Sequence, residues 1–438
     1  MSIKQPSSTP RAPSGNSAFA GNHLSQSLQT ILFVGLCILL LAGPLAYGIV
    51  EPWSTALFEG GAAFLLLIWL GWFVSDKRTS VRWSPLFPPM LTFGVIVVAQ
   101  IVFHHTVYRY DSLTALSLYI AYGILMFTVV QTFGSAEIKY FGNILALFGS
   151  AYSLFAVLQS VTSSGGAIYW RATLGTNTSF GSYVNHNHYA GLIELLLPFG
   201  LMIIFTSGRP GGVLVLQIFG AIMMAASVFL SKSRGGMIAV CVEIIFFAII
   251  WMRFFSAKRA LAALMIFAAI MAAILAWIAP EQVIARMSDL HDPARLLIHR
   301  DSIKIFLAHP LFGSGFGTFA NTFRHYRIFF DGFFVNHAHD DYLELVIETG
   351  LAGFATAMWF LVIVYREGFR NLRGAKRSEP AMLSSAAMVG CTGVLVHSFL
   401  DFNLHVPANA ALFYVIAAVA TLHVGEIQIN TIGHGNNS

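Results

Sequence analysis

Charged residues are scarce in this sequence. Asp, Glu, Lys and Arg make up 10% of the 438 residues, whereas hydrophobic residues make up 56% and the mean hydropathy is +0.71. Soluble domains carry about 25% charged residues, so the composition predicts a membrane protein. The formal net charge of +5 is modest. We attribute it to Lys and Arg in cytoplasmic loops rather than to nucleic-acid binding.

Cysteine is also scarce, and its three residues lie in apolar runs with no CxxC spacing. The sequence therefore predicts neither a disulfide nor a metal-thiolate site. It shows no repeat with a period of about 20–50 residues and no clear inverted halves, which argues against a transporter. The N-terminus has no cleavable-signal pattern. Residues 1–28 are rich in Ser, Pro, Gly and Asn, which is typical of a disordered tail.

About twelve apolar runs reach the length of about 20 residues that spans a bilayer. They lie at 29–50, 54–75, 86–104, 112–132, 139–161, 187–206, 212–230, 235–253, 259–279, 341–366, 381–400 and 407–425. Helices satisfy their own backbone hydrogen bonds in lipid. We therefore predict an all-α, polytopic transmembrane helical bundle over residues 29–425, followed by a cytoplasmic tail at 426–438.

The distribution of Lys and Arg predicts the orientation of these spans. Short loops on one side hold 15 of the 25 basic residues, and short loops on the other side hold only Arg109, Arg171, Lys232 and Arg234. Basic short loops stay in the cytoplasm. We therefore predict that both termini are cytoplasmic and that the long loop at 280–340 faces the periplasm.

The longest polar stretch between spans is Asp289–Glu348, which includes most of this loop and six of the 15 histidines. Four other polar clusters fall on the same predicted side: Trp170-Arg171, Asn185–Tyr189, Ser231–Gly236 and His397–Asn403. Hydrophobic spans need no such segments to hold together. We therefore predict that the chemistry takes place on this face and that the long loop contains short helices.

Arginines on this face are candidates for binding phosphate. Arg295 and His299 are four residues apart and share a helical face. An Arg fork binds phosphate bidentately and stays charged at any pH. We predict that Arg171, Arg234, Arg295 and Arg300 hold a diphosphate leaving group. Anchoring to lipid headgroups or structural ion pairing is the alternative role for each of them.

Gly313, Gly315 and Gly317 form a GxGxG pattern in the long loop. A dinucleotide fingerprint follows a strand and opens a helix, and no strand pattern precedes these glycines. We therefore interpret them as a tight turn whose backbone could approach a substrate, and we reject a dinucleotide site.

The histidines that precede the span at 341–366 are candidates for catalysis. His339 or His337 could act as general base on a sugar hydroxyl, because imidazole titrates near neutral pH. Asp340 or Asp341 is a plausible N-cap of the helix. The alternative is a histidine that only caps the helix or forms hydrogen bonds at the interface.

A metal site is a further alternative for these histidines. Its ligands to Zn²⁺ or Mn²⁺ would be His186, His188, His337, His339, Asp340 and Asp341. Histidines at i and i+2 do not share a helical face, so such a site requires a loop. We predict instead that the protein uses no metal and no other cofactor.

Other polar residues are predicted to bind substrate or to orient the catalytic groups. They are His186, Asn187, His188, His299, Asp340, Asp341 and Asp401. Glu194, Glu243, Glu344 and Glu348 also lie in or beside apolar runs. Carboxylates in spans are rare and usually face a polar interior, so we expect them to orient Arg or His or to bind sugar hydroxyls.

These motifs resemble those of the bacterial O-antigen ligases and the related polymerases. The resemblance rests on Arg295 with His299, on His309-Pro-Leu-Phe-Gly313-Ser-Gly315-Phe-Gly317-Thr-Phe319, and on His339-Asp-Asp-Tyr342-Leu343. Similar elements are Asn185–Gly191, Ser233–Gly235 and His397–Ala410. The resemblance covers roughly residues 170–410, and the order and spacing of its motifs make it fairly specific.

The resemblance implies a GT-C-like glycosyltransferase of the bacterial inner membrane. Such an enzyme transfers a glycan from undecaprenyl diphosphate to an acceptor hydroxyl on the periplasmic face, and in the ligases the acceptor is lipid A–core. It implies His339 as the catalytic base and Arg234 and Arg295 as diphosphate ligands, without a metal. Two positions depart from the family pattern: His299 replaces a usual Trp, and Asp340 replaces a common Asn and adds a negative charge beside the base.

Two other functions stay open from the sequence. One is a polymerase of O-antigen or exopolysaccharide within the same family, and the other is a transporter or flippase of lipid-linked sugars. Transporters place their polar site at the midplane on broken helices, whereas the predicted clusters lie at one face. The predicted partners are an undecaprenyl-diphosphate-linked glycan, lipid A–core or a growing glycan, and membrane lipid, with no nucleic acid.

Overall fold

A computed structural model describes residues 15–76, 80–163, 179–206, 211–254, 293–329, 334–374 and 378–423, with a few single positions between these ranges. The described helices are α1 (Gly15–Leu45), α2 (Pro52–Ser75), α3 (Phe87–Val102), α4 (Arg109–Thr132), α5 (Ser135–Thr162), α6 (His186–Thr206), α7 (Gly212–Leu230), α8 (Arg234–Phe254), α9 (Pro293–Ala308), α10 (Phe319–Tyr326), α11 (Asp341–Gly374), α12 (Glu379–His397) and α13 (Pro407–Thr421). Short 3-10 turns occur at Tyr47–Ile49 and Asn403–His405. No strand is present in these ranges.

Most of the described helices have the character of membrane spans. Nine are long and apolar enough to cross a membrane, and α3 and α13 are shorter apolar helices. Together these eleven coincide with eleven of the twelve predicted spans, so the all-α, polytopic architecture is confirmed. The remaining run, 259–279, and the tail at 426–438 lie outside the described ranges. The short helices predicted for the long loop are α9 and α10.

The N-terminal helix begins before the predicted span. It begins at Gly15, inside the stretch 1–28 that we expected to be a disordered tail. Once a helix is nucleated, each added residue gains a hydrogen bond. The apolar segment from Ser25 onward therefore continues as a helix into the polar residues before it. Residues 1–14 lie outside the described residues.

Helices α6 and α12 pack against each other at the centre of the bundle. In each of them 83% of the residues of the apolar window are buried, the highest share among the candidate spans. Polar side chains on these two helices are therefore surrounded by protein and not by lipid, which is where membrane proteins place ionisable groups.

Helix α11 is broken at Gly350, whose φ is 62° and ψ is −169°. The glycine loop packs its backbone against this break. The N–H groups of Ser314 and Gly315 donate to the carbonyl oxygens of Ile347 and Glu348, at 2.9 and 3.0 Å. The loop thus supplies donors to carbonyls that a helix end leaves unpaired.

The tight turn predicted for the three glycines is confirmed. Gly313, Gly315 and Gly317 have φ values of +72°, +116° and +77°. The N–H groups of Gly315 and Gly317 point to α11. The carboxylate of Glu348 accepts hydrogen bonds from the N–H groups of Gly317, at 2.9 Å, and Phe319, at 2.8 Å. These N–H groups already have partners within the protein. The expected approach of this backbone to a substrate stays a prediction.

We expect Gly350→Ala to lower the free energy of unfolding by more than about 2 kcal/mol. A Cβ at this position would lie 2.3 Å from the carbonyl carbon and oxygen of Leu311, and φ is in the left-handed region. Gly60→Ala is the control, because a Cβ there meets nothing within 4 Å and Ala favours helix. Thermal unfolding in detergent measures the difference. Equal melting temperatures for the two variants would contradict a tight contact between loop and helix.

Candidate active site

The carboxylate of Asp401 lies at the centre of the candidate site and is 1% exposed. Its Oδ1 lies 3.3 Å from Nδ1 of His339. Its Oδ2 accepts a hydrogen bond from the side chain of Asn187 and lies 3.8 Å from Nη2 of Arg295. Arg295 also donates to the carbonyl oxygen of Leu400. Helix α6, helix α9, the loop before α11 and the turn after α12 therefore meet at one carboxylate.

The end of α12 determines where this carboxylate lies. His397 is the last residue of α12, and its carbonyl oxygen accepts hydrogen bonds from the N–H groups of Leu400, at 2.8 Å, and Asp401, at 3.1 Å. The next residue, Ser398, donates through its hydroxyl to Asp341 Oδ2 at 2.7 Å. The turn is thus held by its own helix and by the first residue of α11.

Electrostatics keep Asp401 ionised. Burial opposes ionisation, but the hydrogen bond from His339 and the charges of neighbouring imidazoles, first among them His188, hold the pKa of Asp401 well below its usual range. The carboxylate faces Nδ1 of His339, so the other ring nitrogen, Nε2, is left to accept a proton. The His339 side chain is 31% exposed, which allows a hydroxyl to reach it.

The backbone of His339 adopts a conformation that is uncommon for a residue with a side chain, with a φ of +57°. The residue before it, Ala338, forms hydrogen bonds through both its carbonyl oxygen and its N–H. Nε2 of His299 lies 3.1 Å from the carbonyl oxygen of Ala338, and the N–H of Ala338 donates to Glu344 Oε2 at 2.8 Å. Such conformations persist where surrounding contacts enforce them and cluster at functional sites. The structure therefore places His299 as a support of the loop that carries His339.

A second group of ionisable residues adjoins the first. Nδ1 of His405 lies 2.6 Å from Asp341 Oδ1, and its Nε2 lies 3.3 Å from Glu344 Oε1. Nδ1 of His337 lies 2.8 Å from the same Glu344 oxygen. Burial alone would lower the pKa of His405, but the carboxylates of Glu344 and Asp341 raise it to about 10. His405 is therefore an imidazolium between two carboxylates at neutral pH.

Among the described residues, the potential metal ligands that come together in a group of three belong to His337, Glu344 and His405, within 4.8 Å of one another. This is not the set considered from the sequence, which included His186 and His188. A protonated imidazole cannot coordinate a metal, and the three side chains already share hydrogen bonds. That the protein uses no metal stays a prediction.

Two further residues that were predicted to bind substrate lie at the end of the bundle that carries Asn187. Arg234 is the first residue of α8, and His186 is the first residue of α6. A Cβ at Gly235 would lie 2.5 Å from the ring of His397, so this glycine lets the start of α8 approach the end of α12. The fourth predicted arginine, Arg171, lies outside the described residues.

Two other predicted residues have structural partners. Nε of Arg300 lies 3.2 Å from Asp301 Oδ1, which also accepts from Lys304 at 2.9 Å. For Arg300 the contacts match the alternative role, an ion pair. Asp340 Oδ1 accepts from the N–H groups of Tyr342 and Leu343, each at 3.0 Å, so Asp340 caps α11. A negative charge is favourable at a helix N-terminus.

Comparison with known families agrees with the motifs. Residues 219–358 match the family model described as O-antigen ligase. Over this segment the chain is similar to the O-antigen ligases. No curated protein matches the chain. The matched segment contains Arg234, Arg295 and His339, whereas Asn187 and Asp401 lie outside it. The candidate site thus includes two residues beyond the matched segment.

Sequence reasoning did not single out Phe402, which lies among the histidines of the candidate site. The ring of Phe402 stacks on His337, with centroids 4.0 Å apart, and meets the rings of His188 and His339 at 4.6 and 5.0 Å. Phe402 thus separates three imidazoles. It is one of 38 phenylalanines, and its only signal in the sequence is its position directly after Asp401.

We expect the melting temperature of the purified protein to fall as the pH is raised toward about 10. His405 binds its proton more tightly when folded, with a pKa of about 10, than when unfolded, with a pKa of about 6.5. Its stabilising contribution is complete below about 6.5 and is lost as pH rises through about 10. His405→Gln should flatten this dependence, whereas His309→Gln, at an exposed position, should not. The same alkaline decline in wild type and His405→Gln would contradict the charged pair.

Proposed function

We propose that the protein transfers a glycan from undecaprenyl diphosphate to an acceptor sugar hydroxyl, with O-antigen ligation onto lipid A–core as the specific reaction. The match of residues 219–358 to the O-antigen ligase family model supports the class of reaction. The observation that carries the mechanism is the contact of His339 and Arg295 with one carboxylate, that of Asp401. It combines a base and a cation in a single site.

The reaction is a displacement at the anomeric carbon of the donor. Nε2 of His339 takes the proton of the acceptor hydroxyl as its oxygen forms the new glycosidic bond. The bond between the anomeric carbon and the diphosphate oxygen breaks, and the diphosphate leaves with the bonding electrons. Asp401 holds the ring through Nδ1 and stabilises the imidazolium that forms.

Arginine stabilises the leaving group in this mechanism. Arg295 is fixed by the carbonyl of Leu400 and by Asp401, and its side chain is 30% exposed. A guanidinium carries five N–H donors in a planar fork that matches phosphate oxygens. Fixed donors directed at developing negative charge are a large source of rate acceleration. Arg234, at the start of α8, is the second proposed ligand.

An apolar cavity supports a lipid-linked donor. It has a volume of about 150 Å³ and is lined by aromatic rings that include Phe93, Tyr119 and Tyr414. Its wall also contains Asp341 and His405, so it adjoins the polar group beside His337. A cavity of this size holds a benzene-sized group. It therefore fits one isoprenoid unit of the donor and not a whole chain.

The proposed setting is the bacterial inner membrane, with both termini in the cytoplasm and the site open to the periplasm. The candidate spans support a multi-pass protein. The excess of Lys and Arg in one set of short loops supports the orientation. In this setting the site meets the glycan after the lipid carrier has crossed the membrane.

The test is transfer by the purified protein in the presence of EDTA. The protein is mixed with undecaprenyl-diphosphate-linked glycan and a lipid A–core acceptor, and glycosylated acceptor is measured. Its appearance supports the ligase reaction without a metal. Longer glycans on the lipid carrier, with no transfer to core, would identify a polymerase instead. Absence of both products from folded protein would contradict the proposal.

A further inference from the structure

A second polar cluster lies deeper in the bundle than the His339–Asp401 pair. Glu194 on α6 and Glu243 on α8 are 0% exposed, and His397 at the end of α12 is 1% exposed. Nδ1 of His397 lies 2.8 Å from Glu194 Oε1, and its Nε2 lies 3.5 Å from the hydroxyl of Ser233. Both ring nitrogens face oxygen atoms, which fits a doubly protonated imidazole paired with a carboxylate.

Glu243 adds a second carboxylate, which forms no hydrogen bond with the pair His397 and Glu194. Neither of its oxygens has a hydrogen-bond partner among the described residues, and the same is true of Glu194 Oε2. A Cβ at Gly393 would lie 3.1 Å from Glu243 Oε2 and 3.2 Å from the Cβ of Glu194. The two carboxylate side chains therefore approach the same face of α12, where a glycine makes room for them.

The backbone of α6 contributes another oxygen. Pro198 lies inside this helix and has no N–H, so the carbonyl of Glu194, four residues earlier, loses its helical donor. A Cβ at Gly390, one turn before Gly393 on α12, would lie 3.4 Å from this carbonyl oxygen. Carboxylate and carbonyl oxygens thus line one glycine face of the central helix. These are the oxygen types that bind hard cations.

The charges of the cluster do not balance. Two carboxylates and one imidazolium leave one negative charge. Glu194 and Glu243 lie eight and nine residues inside their helices, about 12–14 Å from the helix start and within the hydrocarbon depth of a bilayer. An unbalanced charge is costly there.

Within the described ranges, the helices that contact α8 provide no second positive charge near Glu243. Helix α8 packs against α6, α7 and α12, and it contacts α11 through Phe246 and Phe369, near the exposed Arg366. The sequence of α7 contains no ionisable residue, and α12 contributes only His397 and the buried thiol of Cys391 to this half of the bundle. On α6, the ionisable residues other than Glu194 lie at its N-terminal end, near Asp401.

We propose that Glu243 and Glu194 form a binding site for a monovalent cation, a proton or Na⁺, in the core of the bundle. One positive charge neutralises the cluster. The site does not depend on the glycan-transfer reaction for its existence. It is nevertheless connected to the proposed catalytic centre, because the carbonyl oxygen of His397 accepts a hydrogen bond from the N–H of Asp401 at 3.1 Å. Occupation of the cation site and the position of Asp401 are thus linked through one residue.

Infrared difference spectroscopy tests for the proton. If the cation is a proton, wild-type protein at neutral pH shows the carbonyl stretch of a buried carboxylic acid, and Glu243→Gln removes that band. Glu379→Gln is the control and keeps the band, because Glu379 lies at the opposite end of α12 and pairs with Lys139 at 2.7 Å. Glutamine has the shape of the protonated acid, so the variant should keep the melting temperature of wild type.

Thermal unfolding tests for Na⁺. If Na⁺ is the cation, the wild-type melting temperature rises with NaCl but not with choline chloride at equal ionic strength, and Glu243→Gln loses this difference. Absence of both the acid band and the Na⁺ effect in wild-type protein overturns the proposal, and this result needs no variant to fold. None of these measurements uses transferase activity, so they stand apart from the test of the proposed function.

Discussion

His339→Ala should reduce glycan transfer by about 10²–10⁴-fold, with the protein still folded and inserted in the membrane. The substitution removes the ring nitrogen that accepts the proton, while Asp401 keeps its contacts with Asn187 and Arg295. Initial rates of transfer to lipid A–core measure the effect. His325→Ala is the matched control, because this histidine is exposed on α10.

A second variant separates chemistry from backbone strain. His339 has a φ of +57°, and Asn adopts this left-handed region more readily than most residues. His339→Asn should therefore be at least as stable as His339→Ala and equally inactive. Wild-type activity in either variant would exclude His339 as the base. The next candidates would then be His337, whose Nδ1 faces Glu344, and His299.

The helices of this protein are predictable because their signal is local. Each span is a continuous apolar run of sufficient length, and length and hydropathy are properties of that run alone. The break in α11 is different. The sequence of 341–366 predicts one continuous span. The interruption at Gly350 depends on the glycine loop that packs against it. A contact between two distant segments cannot be predicted from the local sequence of either segment.

Most residues of the candidate site could be predicted from the sequence, but the contacts that each of them makes could not be predicted. Asp401 was expected to bind substrate or orient another group. Its partners Asn187 and His339 lie 214 and 62 positions away. Only the packing of α6, α9 and α12 shows that one carboxylate serves His339, Arg295 and Asn187 together.

The two arginines of α9 show why spacing alone misleads. Arg295 and Arg300 are five residues apart, which is about 140° around a helix, so they cannot face the same ligand from a straight helix. Arg295 lies against Asp401, whereas Arg300 lies against Asp301. Two arginines predicted for one diphosphate site are thus divided between the candidate site and a structural ion pair.

Asp401→Asn should lower the rate of transfer by about 10²–10⁴-fold, the size of effect seen when a histidine base loses its orienting carboxylate. An asparagine can donate its amide N–H to Nδ1 of His339. That favours the tautomer with the proton on Nε2, which can no longer accept one from the acceptor hydroxyl. The rate constant at saturating donor should therefore fall. Transfer rates over a range of donor concentrations separate this effect from a change in binding.

Asp301→Asn is the control for a buried carboxylate that has no part in the chemistry. Asp301 is 0% exposed and binds Arg300 and Lys304. Burial opposes its ionisation, but the hydrogen bonds from Lys304, Ile328 and Arg300 lower the pKa of Asp301. Its substitution should lower the melting temperature and leave the rate per folded molecule unchanged. A similar loss of rate in both variants would indicate that Asp401 acts through stability.

The double variant His339→Ala/Asp401→Asn tests whether the two residues act as one unit. If Asp401 works by orienting His339, its substitution has little further effect once the imidazole is absent, and the double variant is about as active as His339→Ala. If Asp401 acts mainly by holding Arg295 against the diphosphate, the two losses multiply. The contact of 3.3 Å with His339 against 3.8 Å with Arg295 favours the first outcome.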